Sequence, residues 1–347
     1  MDVDFSSTFP SKDMNDDVSE PENTDDFDQL IGDHETFVSE DGNLQTDNKK
    51  CQKNQGHVKF IPIQELSFKH LPDDHCDQDV YDYIKATADL TVKIDVKMIS
   101  PNRPECWPGT SNKYPFYNNR GQTHLCRIGS GIVSYVLHYS KGIHFDKEYE
   151  KKRDYTKCWC SNCQDSDSPS DVWWEFYVST ATHVVFDENE AIHTKISLFY
   201  DSESSECATL DKFRIMGVNA SYDLCELKSV TCDKSLGNTL EMLWQRFESL
   251  SDKIIEKYKN SKNTKKLAFI VSHPHGYPKQ VSFGNWEKKV NSGNQEFSKF
   301  TYNVCTCPGS SGACVQCLGY NIVWGSEIVH SGSGKSGYNY SGATYVE

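Results

Sequence analysis

Residues 90–98 read Leu-Thr-Val-Lys-Ile-Asp-Val-Lys-Met, an alternation of apolar and polar side chains with period two. Successive strand residues point to opposite faces of a sheet, so this run describes a strand with one dry face and one wet face. Similar short segments follow at 132–138, 175–179, 195–200, 213–218, 267–271, 302–305, 315–318 and 327–330, with Gly, Pro, Asn and Asp between them. Many short strands bury their apolar faces by stacking two sheets or by closing barrels, so the chain is predicted to be all-β. Two stretches depart from this pattern. Residues 141–169 are polar, charged and poor in β formers, and read as a long surface insertion. Within 238–259, Leu240, Leu243, Trp244, Phe247, Leu250, Ile254 and Tyr258 recur at spacings of three and four, which draws one apolar stripe on a helix. That stripe is expected to pack on the host domain, with docking of a partner as the second reading. A shorter helix is expected near 79–86.

The net charge is −14, and it is unevenly spread: Lys12 is the one Lys or Arg in the first 45 positions. Such a segment has too little apolar surface to offset the entropy of ordering, so residues 1–55 are predicted to be a disordered acidic tail. An N-terminal extension over 56–84 and a folded domain over 85–347 complete the expected organisation. The acidic balance argues against nucleic acid as a partner, because phosphate binding needs clustered Lys and Arg. No apolar run is long enough to span a membrane. The start, Met-Asp-Val-Asp, lacks the basic and apolar regions of a secretory signal, so the cytoplasm or nucleus is the expected location. The 14 cysteines are then expected to be reduced thiols, small buried apolar groups or metal ligands.

Acyl transfer by a serine needs a base beside the hydroxyl, a carboxylate to orient that base, and N–H groups to hold the oxyanion. Three segments supply these in the order His, Asp, Ser. The first is Val178-Ser-Thr-Ala-Thr-His183-Val-Val, a strand running into small residues and a histidine. The second is Ser221-Tyr-Asp223-Leu-Cys-Glu-Leu, an aspartate entering a strand, with Glu226 where an aliphatic residue is usual. The third is Cys307-Pro-Gly309-Ser310-Ser311-Gly312-Ala313, in which Gly309 lets the backbone turn its N–H and that of Ser311 toward one oxygen. Asp223 follows His183 by 40 residues and Ser311 follows Asp223 by 88.

Together these segments resemble the trypsin/chymotrypsin superfamily of serine peptidases. Ile128-Gly-Ser-Gly-Ile132, and Val271-Ser-His-Pro-His-Gly276 with Lys279-Gln-Val-Ser-Phe-Gly284, resemble strands of HtrA-type members. The resemblance covers about residue 85 to the end. It implies a chymotrypsin-like double β-barrel with a long insertion and an added amphipathic helix. It further implies a triad of His183, Asp223 and Ser311, an oxyanion hole at Gly309 and Ser311, a protein or peptide substrate, and no cofactor for catalysis. Ser310 stands where secreted zymogens carry an activating aspartate, so no such switch is expected.

The same resemblance places Thr306, His330, Ser331 and Gly332 in the substrate-binding wall. His330 and Thr306 fall where viral and glutamyl-endopeptidase-like members hold a side-chain amide or carboxylate. Cys305 stands where arginine-specific members carry an aspartate. Glu or Gln before the scissile bond is therefore expected. Separately, Cys158, Cys160 and Cys163 suit a structural Zn²⁺, with Cys106, Cys126 or His144 as a fourth ligand; free thiols are the alternative. Two other functions fit the same residues: a catalytically silent trypsin-fold interaction module recruiting partners through its tail or helix, and a zinc-stabilised binding protein.

Overall fold

The computed structural model describes residues 32–39, 51–146, 151–154, 157–292, 297–320, 327–334 and 336–346. The alternating run at 90–98 forms strand β4 (Thr91–Val96), in which Val92, Ile94 and Val96 are fully buried while Lys93 and Asp95 are half-exposed. It lies in a ten-stranded antiparallel sheet with β5 (Cys126–Ser140), β8 (Val172–Thr180), β9 (Thr194–Leu198), β10 (Ala208–Leu210), β11 (Arg214–Asn219) and β12 (Leu224–Thr231). Among the described residues the order is β10-β9-β4-β5-β8-β12-β11, with the hairpin β6 (Ile143–Asp146) and β7 (Lys151–Asp154) extending from β5. An eight-stranded sheet contains β13 (Leu267–Ser272), β14 (Gln280–Asn291), β15 (Ser298–Tyr302), β16 (Val315–Cys317), β17 (His330–Ser333) and β18 (Asn339–Ser341), with β3 (Ile61–Pro62) on β14. This is an all-β, chymotrypsin-like fold: the strand pattern implies the first and the resemblance the second. The expected pairing of 271 with the 279–284 segment is present, Val271 opposite Val281.

Two helices cover the barrels. Helix α1 (Gln78–Leu90) starts at Asp77, whose side chain accepts the N–H groups of Asp79 and Val80. Helix α2 (Lys234–Tyr258) starts four residues earlier than its apolar stripe suggests, at an Asp233 cap. Leu240, Phe247, Ile254 and Tyr258 are buried, and Phe247 stacks on Tyr83 of α1 with ring centroids 5.5 Å apart. The stripe therefore serves the host core, the first of the two readings. Gly237 permits the closest contact, since a Cβ there would lie 2.2 Å from the Trp174 ring.

Two expectations need correction. Residues 32–39 are not disordered: β1 (Asp33–His34) pairs with β17, and β2 (Phe37–Ser39) pairs with β5. Residues 51–55 are also placed, while 1–31 and 40–50 lie outside the described residues. The segment gains order by adding to sheet edges that other residues stabilise, which composition does not register. The 141–169 insertion is likewise not wholly a surface loop. It forms the β6–β7 hairpin and buries Cys158, Cys160 and Cys163 against Leu137, Tyr139, Trp173 and Val230.

Candidate active site

The turn after β8 carries His183, fully buried. Its Nδ1 lies 2.8 Å from Asp223 Oδ2, and its backbone N–H donates to Oδ1 at 3.0 Å. Asp223 sits at φ 55°, a left-handed position that Asp tolerates, just before β12. Ser331 Oγ donates to the same Oδ2 at 2.5 Å. Burial opposes the charge on Asp223, but His183 and Ser331 together hold its carboxyl below the ordinary carboxylate range.

A second carboxylate supports this turn from behind. Fully buried Glu190 takes Arg103 at 2.7 Å through both oxygens and Arg127 at 2.7 Å through one. The guanidinium groups then reach the carbonyls of His183 and Val184, at 3.0 and 3.1 Å. Sequence reasoning missed this cluster, because Arg103, Arg127 and Glu190 share no motif and meet only through the fold.

The nucleophile loop is held by backbone. Gly309 has φ 99°, and a Cβ there would lie 2.5 Å from the His273 carbonyl; glycine is required. Ser130 donates its side chain to the Gly309 carbonyl and its N–H to that of Ser311, both at 2.8 Å. Ser311 is fully buried. Neither Ser311 Oγ nor His183 Nε2 has a hydrogen-bond partner among the described residues. The expected contact of the imidazole with Asp223 is formed, then, and its contact with Ser311 is not.

The cleft beside these groups is occupied by the chain itself. Asp33 and His34 pair antiparallel with Ser333 and Gly332. At Gly332 a Cβ would lie 2.3 Å from the Asp33 carbonyl, so glycine makes room for the pairing with β1. The His34 ring lies on that of His183, centroids 4.5 Å apart, and its Nδ1 is 3.0 Å from the Ser331 carbonyl. Burial, then the neighbouring His183, pushes His34 down to about 3, so it stays neutral. The Glu35 carbonyl accepts the Gly309 N–H at 2.6 Å.

The Glu35 side chain is buried beside His330, Ser333 and Lys53. One oxygen lies 2.8 Å from His330 Nε2; the other lies 2.6 Å from Ser333 Oγ and is bonded by Lys53. His330 Nδ1 is 2.7 Å from the Tyr302 hydroxyl, and burial pushes His330 well below its ordinary value. A neutral ring with its proton on Nε2 donates to Glu35, and its Nδ1 shares the single proton of the Tyr302 hydroxyl with the Tyr340 carbonyl, 3.1 Å from that hydroxyl. Thr306 does not touch Glu35: its hydroxyl lies 2.9 Å from Lys53 Nζ, one step removed. Lys53, His34 and Glu35 escaped the sequence reading because they lie in a segment whose composition looks like tail.

Two cysteine clusters lie away from this cleft's reacting atoms. The sulfurs of Cys158, Cys160 and Cys163 lie within 4.8 Å of one another, and Cys232 Sγ is 3.4 Å from that of Cys160. None of the three expected fourth partners joins them; His144 Nδ1 bonds the His138 carbonyl at 2.9 Å instead. Cys232 follows β12, which lies beside β8, and only that register brings it there. A second cluster joins Cys51, His57, His275 and Cys307 within 4.8 Å.

No family model matches the chain, and neither does any curated protein. Among solved structures it is similar to the HtrA-type protease AlgW bound to a tripeptide, at 12% identity and TM-score 0.38, covering 77% of this chain and 60% of that one. It is similar to Deg5 at 12% identity and TM-score 0.35, covering 78% and 90%. A serine endoprotease from Yersinia pestis matches at 11% identity and TM-score 0.34, covering 75% and 60%. The chain thus spans about 60% of the length of AlgW. These likenesses are distant, and the chemistry of the cleft stands on this chain's own geometry.

Proposed function

We propose that the chain is a serine endopeptidase acting on proteins or peptides, with His183, Asp223 and Ser311 as its triad and Glu, then Gln, preferred before the scissile bond. The observation that carries this reading is Glu35. Its carbonyl takes the Gly309 N–H while its carboxylate is held by His330, Ser333 and Lys53. Ser311 Oγ attacks the carbonyl carbon and gives its proton to His183 Nε2. Asp223 orients the ring and stabilises the imidazolium, and the N–H groups of Gly309 and Ser311 hold the oxyanion. The imidazolium then protonates the leaving amine, and water hydrolyses the ester. His330 and Lys53 can only donate to the Glu35 carboxylate, so the one acceptor offered to the amide nitrogen of Gln is the Ser333 hydroxyl, which also lies 2.7 Å from Asn339 Oδ1. A peptide-library profile should be led by Glu, with fluorophosphonate labelling lost on Ser311→Ala. A profile led by Lys or Arg sinks the preference, and labelling that survives the substitution sinks the mechanism.

A structural Zn²⁺ held by Cys158, Cys160 and Cys163, with Cys232 as the fourth ligand, belongs to the same proposal. Four sulfurs match the preference of structural zinc sites, and no catalytic step uses the ion. Reduced thiols suit the cytoplasm or nucleus, and none of the cysteines is disulfide-bonded.

A further inference from the structure

Residues 32–39 cross the cleft from one barrel to the other. β1 adds to β17 of the eight-stranded sheet and β2 adds to β5 of the ten-stranded sheet, both antiparallel, leaving Glu35 and Thr36 unpaired at the crossing. His34 covers His183, the Glu35 carbonyl faces Gly309, and the Glu35 side chain is buried beside His330. The geometry points to self-processing: the Glu35–Thr36 bond lies in the cleft as a substrate and is cut in cis, leaving a chain that begins at Thr36. This rests on the peptidase reading above and deepens it by naming a substrate.

The step balances without any further reagent. Ser311 Oγ bonds to the Glu35 carbonyl carbon as the C–N bond to Thr36 breaks. The hydroxyl proton passes through His183 to the Thr36 nitrogen. Water then divides between the Glu35 acyl group, which leaves as a carboxylate, and Ser311, which regains its proton. The released acidic fragment ends at Glu35; its described residues, 32–35, are held by the β1 pairing, the bond from the Gly32 N–H to Tyr340 and the contacts of His34 and Glu35, so its departure uncovers His330 and Gly309 to other peptides.

Intact-mass analysis and N-terminal sequencing of the purified full chain test this. The wild type should yield a product beginning at Thr36, by first-order kinetics unchanged on tenfold dilution. Ser311→Ala and Glu35→Lys should both stay full-length, and Glu35→Lys, its pocket vacated, should label at Ser311 with a fluorophosphonate. A full-length wild type with a labelled Glu35→Lys chain overturns self-processing alone. A full-length wild type with an unlabelled Glu35→Lys chain overturns the peptidase reading with it. A different new N-terminus, dilution-dependent cutting, or cutting that persists in Ser311→Ala also overturns self-cleavage in cis.

A second, independent observation is the cluster of Cys51, His57, His275 and Cys307. Cys51 and Cys307 sulfurs lie 3.5 Å apart, and His57 and His275 Nε2 atoms lie 3.2 Å apart. A tetrahedral ion with Zn–S about 2.3 Å and Zn–N about 2.0–2.1 Å sets sulfurs about 3.8 Å apart and nitrogens about 3.4 Å apart. We infer that these four residues bind Zn²⁺, fastening residues 51–57 to the loop that carries Gly309 and Ser311. Asn54, inside this segment, donates to the Thr306 carbonyl at 2.7 Å, and neighbouring Lys53 is thereby presented to the pocket. Elemental analysis of the full chain should lose one zinc per chain in Cys51→Ser/His57→Ala. It should retain one zinc, at this site, in Cys158→Ser/Cys160→Ser. Unchanged zinc in the first variant, or none in the second when its circular dichroism matches wild type, overturns the site.

Discussion

At the scale of single residues, the cleft makes three predictions. Ser311→Ala and His183→Ala should each lower kcat/KM by on the order of 10⁴-fold or more, and the double variant should lose no more than either single. Peptide-hydrolysis kinetics read this, and additive losses would mean the two groups do not act as one unit. Lys53→Ala removes a charge-assisted hydrogen bond from the pocket proposed for Glu, an interaction worth about 1.5–3 kcal/mol. Cleavage after Glu should therefore fall by about 10- to 100-fold while cleavage after Gln changes less, and an unaltered Glu/Gln ratio would remove Lys53 from the pocket. Behind the site, Glu190→Ala strands two fully buried guanidinium groups. The cost should be about 3–5 kcal/mol, read as a lower urea midpoint. A loss under about 1 kcal/mol would mean that Arg103 and Arg127 find other partners.

At the scale of elements, α2 tests whether propensity or packing governs a helix position. Gly237→Ala gains about 1 kcal/mol of intrinsic helix preference. Its Cβ, however, would lie 2.2 Å from the Trp174 ring, and overpacking of that kind costs about 1–3 kcal/mol. The clash outweighs the gain, so the melting temperature should fall; a rise would show that Trp174 moves aside freely. The strand elements were legible because alternation survives in β4 and a short apolar run, buried at all six positions, marks β13. Their limits were less so: the expected strand at 327–330 lies at His330–Ser333. That strand lacks an apolar run, and its neighbours β1 and β18 stabilise it by pairing.

At the scale of the whole molecule, burial makes stability depend on pH. Glu327 is enclosed, with Cys314 Sγ donating to its carboxylate at 3.2 Å, and burial pushes it from 4.5 up to about 7. The folded chain therefore keeps a proton that the unfolded chain loses first. Stability from this group is full below about 4.5, falls as pH rises toward 7, and then levels off, a span of roughly 3 kcal/mol. Glu327→Gln should flatten the change in urea midpoint between pH 5 and pH 8. An unflattened profile would assign that dependence to other groups.

The amino-acid sequence alone determined what travels with local pattern. Period-two alternation set the strands and an apolar stripe set α2. Short glycine-rich and small-residue signatures marked His183, Asp223, Gly309 and Ser311, because the backbone turns they need restrict which residues fit. Tertiary structure decided what depends on distance between remote segments. It brought Cys232 to Cys160 of the insertion, and Glu190 to two arginines beneath the histidine. It also laid residues 32–39 across the cleft. No local preference encodes that last placement, since an acidic segment with little core of its own becomes ordered only where finished sheet edges and a pocket of hydrogen-bond donors receive it.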